Sequence, residues 1–287
     1  MSYKKGPIAR VSVLSTGYVR IRPDHRESRG RPVAWWLLTS RQWTAPLPIN
    51  VYVIEHERGL VLFDTGQDRR SVTDARYFPR GLFGQLFSRL ATFAIRPEET
   101  LTAGLRRLGY DIADVRVAVL SHLHQDHIGG LPELSIAEIV VSAVEWQQLG
   151  RPLPELNGLM VNHIDLPGLR WNRIEPERTD DLDLVPFERA HDIFGDGSVV
   201  LLPTPGHTPG SLSLLLRQQG LPPMLFVGDL TYDADLLLGG RVPGIGSHRG
   251  LRRSTAMVEQ LRERHPDLVV LAAHDPGAAA ALAGATR

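Results

Sequence analysis

Four metal-binding side chains fall within one six-residue stretch, His122-Leu123-His124-Gln125-Asp126-His127, directly after the apolar run Val115 to Leu120. No other feature of the chain restricts its fold as much. Successive side chains of an extended segment point to opposite faces, so His122 and His124 share a face and can close on one ion. A turn into helix at Asp126 would bring Asp126 and His127 against a second ion beside the first. The chain contains no Cys, which excludes thiolate ligands, a cysteine nucleophile and disulfides. Metal here must be held by imidazole and carboxylate, a donor set that suits zinc first, with Mn, Fe or Co as alternatives.

Around this stretch the 287 residues alternate short β-branched runs with helical patterns, an α/β layout with no internal repeat. Strands are expected at Ala9 to Ser15, Ile49 to Glu55, Leu60 to Phe63, Val115 to Leu120, Glu138 to Ser142, Val199 to Leu202, Ser211 to Leu216, Leu225 to Val227 and Leu268 to Leu271. Helices are expected at Pro97 to Leu108, Ala143 to Leu149 and Ser254 to Arg264. Residues 20–47, 67–95 and 150–178 fit neither pattern and read as irregular insertions in a single domain spanning 1–287. Basic and acidic side chains balance at 32 each, so no global field attracts nucleic acid or a membrane surface, and the expected partner is a small molecule. No run of about 18 apolar residues and no signal-peptide pattern occurs, despite Lys4 and Lys5 near the start; the expected location is cytoplasmic.

Three further segments extend the pattern. Thr204-Pro205-Gly206-His207-Thr208-Pro209-Gly210 supplies another His in a turn-rich loop, Gly228-Asp229 follows an apolar run, and Ala273-His274-Asp275 ends another. Together with Ser121 to Gly130, and from about Val11 to His274, the chain resembles the metallo-β-lactamase superfamily. The resemblance implies an αββα sandwich, two mixed sheets flanked by helices, with a dinuclear metal site at one edge. It implies one ion on His122, His124 and His207, a second on Asp126, His127 and His274, and Asp229 shared between them. Asp64, in Leu62-Phe63-Asp64-Thr65-Gly66, matches an aspartate that orients the ligand loop from behind.

Such a pair of ions can hold a bridging hydroxide and polarise a carbonyl or phosphoryl oxygen, so the implied reaction is hydrolysis. Glyoxalase II-like members append a helical domain where here only Asp275 to Arg287 follow His274. True β-lactamases either need a Cys ligand or lack the bridging carboxylate, the RNA-processing branches add a domain and a basic groove, and flavodiiron-type members replace the second His by Glu. Tyr232, three residues after Asp229, is instead similar to the N-acyl homoserine lactonase branch, in which the equivalent tyrosine binds the lactone carbonyl. The implied activity is opening of an acyl homoserine lactone, as in quorum quenching, with Asp126 relaying a proton to the leaving alkoxide; a phosphotriesterase-like hydrolase is the alternative. Gln125 departs from that branch, which usually carries an aromatic residue there. Trp35 and Trp36, and Phe83 and Phe87 with neighbouring apolar residues, could wall an acyl pocket, form a lid, or pack as core or as the contact of a homodimer. His25, His56, His163, His191, His248 and His265 match no motif and are expected to be structural, although His163 and His248 could reach a substrate.

Overall fold

The computed structural model describes residues 6–286, so Lys4 and Lys5 lie outside the described residues. Strands β1 (Ile8–Ile21), β2 (Leu47–His56), β3 (Gly59–Phe63), β4 (Ala91–Ala94), β5 (Val115–Val119), β6 (Glu138–Ser142) and β7 (Arg170–Ile174) form one sheet in the order 4-1-2-3-5-6-7. Strands β8 (Glu177–Arg178), β9 (Arg189–Asp192), β10 (Val199–Pro203), β11 (Leu212–Gln218), β12 (Leu221–Phe226) and β13 (Val269–Leu271) form the other, in the order 13-12-11-10-9-8. Both sheets are mixed: β3, β5, β6 and β7 run parallel, as do β12 and β13, and the remaining pairs are antiparallel.

Period-two alternation explains why several strands read as unbroken apolar runs. Each sheet is covered on both faces, so both sets of side chains are buried. Tyr52, Ile54, Val61, Phe63, Val119 and Val140 of the first sheet meet Val199, Leu201, Leu214, Met224, Phe226 and Leu271 of the second in a central layer. The intervening residues Val51, Val53, Leu60, Leu62, Ile139 and Val141 face outward onto Leu101 and Leu105 of helix Leu101–Leu108. Val200, Leu202, Leu215 and Leu225 face outward onto Leu251, Val258 and Leu261 of helix His248–Arg264. This is the αββα sandwich.

The boundaries of two expected helices shift for local reasons. Pro97–Glu99 forms a separate 3₁₀ turn, and Thr100, whose side chain accepts from the Ala103 N–H, starts the helix proper. The last long helix begins at His248 rather than Ser254, because Ser247 caps it by accepting from the Gly250 N–H. The three stretches expected to be irregular are largely ordered. Residues 20–47 contain helices Pro23–Arg26 and Val33–Thr39, residues 67–95 contain Arg70–Thr73, Leu82–Leu90 and β4, and residues 150–178 contain Val161–Ile164, β7 and β8. Polar residues such as Arg170 and Asn172 hide the strand pattern of β7, whose stability comes from pairing with β6.

The strands leading to Asp64, Ser121, Pro203, Gly228 and His274 all end at one edge of the sandwich, and cross-sheet hydrogen bonds pin that edge. The Leu212 N–H donates to the Ser121 carbonyl (2.9 Å) and the Asn50 N–H to the Ala273 carbonyl (2.8 Å), while the Tyr52 hydroxyl donates to the Ala272 carbonyl (2.7 Å). Phe226, fully buried, packs on Tyr52 with ring centroids 4.6 Å apart. Truncating Phe226 to Ala should cost about 3–5 kcal/mol, read as a lower urea midpoint at unchanged slope; a cost below about 1 kcal/mol would contradict its place in the central layer.

Candidate metal centre and adjoining cavity

All seven side chains expected to meet do so at this edge. His122, His124 and His207 form one group, Asp126, His127 and His274 another, and Asp229 joins His122 and His127, with one ligand atom from each member of a group within 4.8 Å of the others. His124 stands at the start of the short helix Gln125–Ile128, whose first turn swings Asp126 and His127 away from the His122–His124 pair. Asp229 spans the two groups: its Oδ2 lies 3.5 Å from His207 Nε2, while its Oδ1 lies 3.4 Å from His127 Nε2 and 3.3 Å from His274 Nε2. Asp126 Oδ2 lies 3.6 Å from His274 Nε2.

Partners outside the cluster fix which imidazole nitrogens carry hydrogen. His124 Nε2–H donates to the Asn157 carbonyl (2.9 Å) and His274 Nδ1–H to the Pro48 carbonyl (2.9 Å). His127 Nδ1–H donates to Asp64 Oδ2 (2.8 Å). These acceptors have no hydrogen to give. The Ser121 hydroxyl donates to Asp64 Oδ2 (2.9 Å), so its oxygen accepts from His122 Nδ1–H (3.0 Å). The opposite nitrogens of the neutral rings are therefore bare. His122 Nε2 and His124 Nδ1 then face each other lone pair to lone pair at 3.0 Å, and His127 Nε2 and His274 Nε2 face a carboxylate. Among the described residues, His127 Nε2, His274 Nε2 and Asp229 Oδ1 are buried without a hydrogen-bond partner. Such an arrangement is repulsive without cations between the donors, and the donor set fits divalent metal.

The electrostatics agree. Burial, reinforced by the neighbouring imidazoles, holds His122 well below the ordinary histidine range, and burial does the same for His207. Burial also opposes charge on His127 and His274, yet carboxylates prevail and raise both: Asp64 and Asp229 for His127, Asp229 and then Asp126 for His274. Asp229 is buried but is held far below the usual carboxylate range by His274 and His127. Positive charge is favoured on His127 and His274 and disfavoured on His122 and His207, which can serve only through bare nitrogen.

Asp64 also accepts from the Ser121 N–H (2.7 Å), so it lies behind the cluster as expected. A second buried carboxylate, Glu145, escaped the sequence reading. It accepts from the N–H groups of Leu123 and Gly210, both at 3.1 Å, and so clamps the loop of His122 and His124 to the loop of His207. A glutamate in the first turn of a short helix carries no sequence signal for such a role.

A cavity of about 470 Å³ opens over the cluster. Its floor includes His124, Asp126, His207, Asp229, His274 and Tyr232, and one wall is apolar, with Val19, Ile21, Leu37, Leu86, Phe87 and Phe93. Of the four aromatic residues expected to wall such a pocket, only Phe87 lines it. Trp35 is 60% exposed, Trp36 is fully buried against His25, and Phe83 is half-buried away from the cavity. The helical turn of Val33–Thr39 instead presents Val33 and Leu37. Tyr232 is buried and stacks on His274 (ring centroids 5.3 Å, 20°). His25, expected to be structural, lines the cavity and meets the Tyr232 hydroxyl at 2.9 Å. His163 and His248 hydrogen-bond to the Tyr77 carbonyl and to Ser28, and neither lines the cavity. Gln125 does line it, paired with Gln67.

Asp64→Asn would place an amide donor against His127 Nδ1–H or flip that ring's tautomer. Metal affinity should fall about 10- to 100-fold, measured by chelator competition; unchanged affinity would show that Asp64 does not orient His127.

The model of the metallo-beta-lactamase superfamily matches residues 44–274. The N-acyl homoserine lactonases AttM of Rhizobium radiobacter and Azorhizobium caulinodans are 30% and 32% identical over 234 residues, 81% of this chain and 83% of theirs. A solved structure of a B. thuringiensis AiiA variant with N-decanoyl-L-homoserine at its active site superposes with a TM-score of 0.74 over 94% of each chain at 21% identity, a likeness of fold. A match that takes in every one of the seven converging side chains, on the sandwich described above, settles the kinship: the chain belongs to the metallo-β-lactamase superfamily.

Proposed function

We propose that this protein is a metal-dependent hydrolase that opens N-acyl homoserine lactones. His122, His124 and His207 would hold one divalent ion, Asp126, His127 and His274 a second, and Asp229 both; zinc suits these neutral imidazoles and carboxylates. The observation that carries the substrate reading is the shape of the cavity. A polar floor of ligands and one phenol adjoins an apolar wall, matching a polar lactone ring on an alkyl chain. The 30–32% identity to AttM lactonases supports the same reading.

Bound divalent ions supply Lewis acidity and a water that ionises at neutral pH. The chain's own groups account for the rest. Burial, and then the Asp229 and Asp126 carboxylates, push the Tyr232 phenol well above its ordinary range, so it keeps its proton and acts as a donor. Its hydroxyl hydrogen-bonds the lactone carbonyl oxygen as negative charge develops there. Water oxygen adds to the carbonyl carbon and the ring C–O bond breaks. Asp126, in the cavity floor and partly open to it, carries the water's proton to the alkoxide, which leaves as a hydroxyl while the acid remains as carboxylate. Leu37, Leu86, Phe87 and Phe93 take the acyl chain out of water.

An assay over a panel of acyl homoserine lactones, with a phosphotriester alongside, should show ring opening that chelation abolishes and added zinc restores; faster phosphotriester turnover would overturn the reading. Tyr232→Phe should lower the rate by roughly a hundredfold with metal content intact, as for loss of one oxyanion donor, and full activity would remove its role. Phe87→Ala should cost decanoyl substrates about tenfold more than butanoyl ones; an equal loss on both would place the chain elsewhere.

A further inference from the structure

Tyr232 is not free to orient its hydroxyl toward a substrate unaided. Its ring is trapped between His274, on which it stacks, and the edge of His25, with centroids 5.4 Å apart at 82°. Only the O–H bond can turn. The phenol oxygen sits 2.9 Å from His25 Nε2, and the negative charge of the Asp229 carboxylate opposes ionisation of the phenol. A phenol has one hydrogen and a carboxylate can only accept. If that hydrogen pointed to His25, only phenol lone pairs would be left to meet an incoming carbonyl oxygen, which can itself only accept.

We infer that His25 is a positioning residue for Tyr232: its Nε2–H donates to the phenol oxygen, leaving the phenol's hydrogen to bind the substrate oxygen. The inference deepens the lactonase reading and rests on it for the identity of that oxygen, while the hydrogen bond itself does not. Neutral imidazole carries a single N–H. On Nε2 that hydrogen has a partner; on Nδ1 it would be a buried donor with none among the described residues, because Nδ1 is buried and unpaired. His25 is neutral at ordinary pH, since burial pushes it down to about 4.

The rest of the segment holds His25 in place. The Gly244 N–H donates to the His25 carbonyl (2.9 Å) and the Ser28 N–H to the Val242 carbonyl (2.8 Å). Arg26 pairs with Asp233, the residue after Tyr232, at 2.6 Å. A Cβ on Gly244 would lie 1.9 Å from the Asp24 carbonyl oxygen, so only glycine allows the approach. Residues 24–28 are thus held both to Asp233, next to Tyr232, and to Val242 and Gly244.

Two measurements test this. Long-range ¹H–¹⁵N NMR of histidine-labelled protein, with and without metal and with His25→Gln to assign the signal, should show hydrogen on Nε2 of His25; hydrogen on Nδ1 overturns the proposal. In lactone kinetics His25→Leu should lower kcat about a hundredfold with little change in KM, and His25→Gln, whose amide can donate from a similar position, should recover most of it. Added to Tyr232→Phe, His25→Leu should slow the enzyme no further. Parent-like rates in His25→Leu, equal losses in both His25 variants, or losses that add to that of Tyr232→Phe overturn it. Should His25→Leu fail to fold, His25→Gln and the tautomer decide. A parent protein that opens no lactone overturns the lactonase reading instead, and the NMR result then decides the hydrogen bond alone.

Discussion

The carboxylate of Asp64 is the interaction on which the rest of the site depends. It stands at the end of β3 with φ 62°, a left-handed conformation that costs a non-glycine residue about 1–2 kcal/mol. Three hydrogen bonds offset that cost, from the Ser121 N–H, the Ser121 hydroxyl and His127 Nδ1–H. Through Ser121 the same carboxylate also sets the tautomer of His122. One acidic side chain thus turns a bare nitrogen inward from each of the two ligand groups. Gly228, itself at φ 54°, passes so close behind Ser121 that a Cβ there would lie 2.8 Å from the serine side chain, which packs the Asp229 loop against the same support.

Seven ionisable groups crowded under a cavity oppose folding, because burial penalises their charged forms and the bare nitrogens repel one another. The sandwich overcomes this by supplying the ligands from strand ends that are independently pinned. His274 is held by the Pro48 carbonyl and His124 by the Asn157 carbonyl, while the two histidine loops are clamped by Glu145. None of these bonds uses a nitrogen that faces the cluster. These bonds orient the side chains from outside the cluster and leave the inward nitrogens for a metal, which is what a preorganised site requires.

The ligands and the strands behind them were legible in the sequence for the same reason: both follow from short-range spacing. His122 and His124 share a strand-like face, and runs such as Val199 to Leu202 are apolar enough to mark a strand covered on both sides. What the sequence concealed depends on contacts between distant segments. Glu145 looks like a surface residue of a short helix until the fold brings Leu123 and Gly210 to it, and His25 lies 207 positions from Tyr232. The stretch 20–47 lacks a strong period because its short helices bury only a few side chains each. The same weakness misplaced Trp35 and Trp36: adjacent residues on a helix diverge by about 100°, so the turn that buries Trp36 leaves Trp35 in solvent.

The apolar wall has a different anchor from the ligand floor. It is contributed largely by 20–47 and 67–95, and Arg22 ties those segments together. Its guanidinium stacks on Trp43 at 3.6 Å and donates to the Arg89 and Gln42 carbonyls at 3.0 and 3.1 Å. β4 then fixes the second segment to β1 by pairing Ala91 to Ala94 with Tyr18 to Ile21. None of these contacts touches a ligand or its hydrogen-bond partner. Apart from His25, which meets Tyr232, changes in the wall can therefore alter the shape of the cavity without touching the cluster, whereas a change at Ser121, Asp64 or Glu145 disturbs the clustered side chains directly. The apolar wall thus rests largely on an arginine-stapled pair of excursions, and the histidine and aspartate cluster on the ends of the sheets.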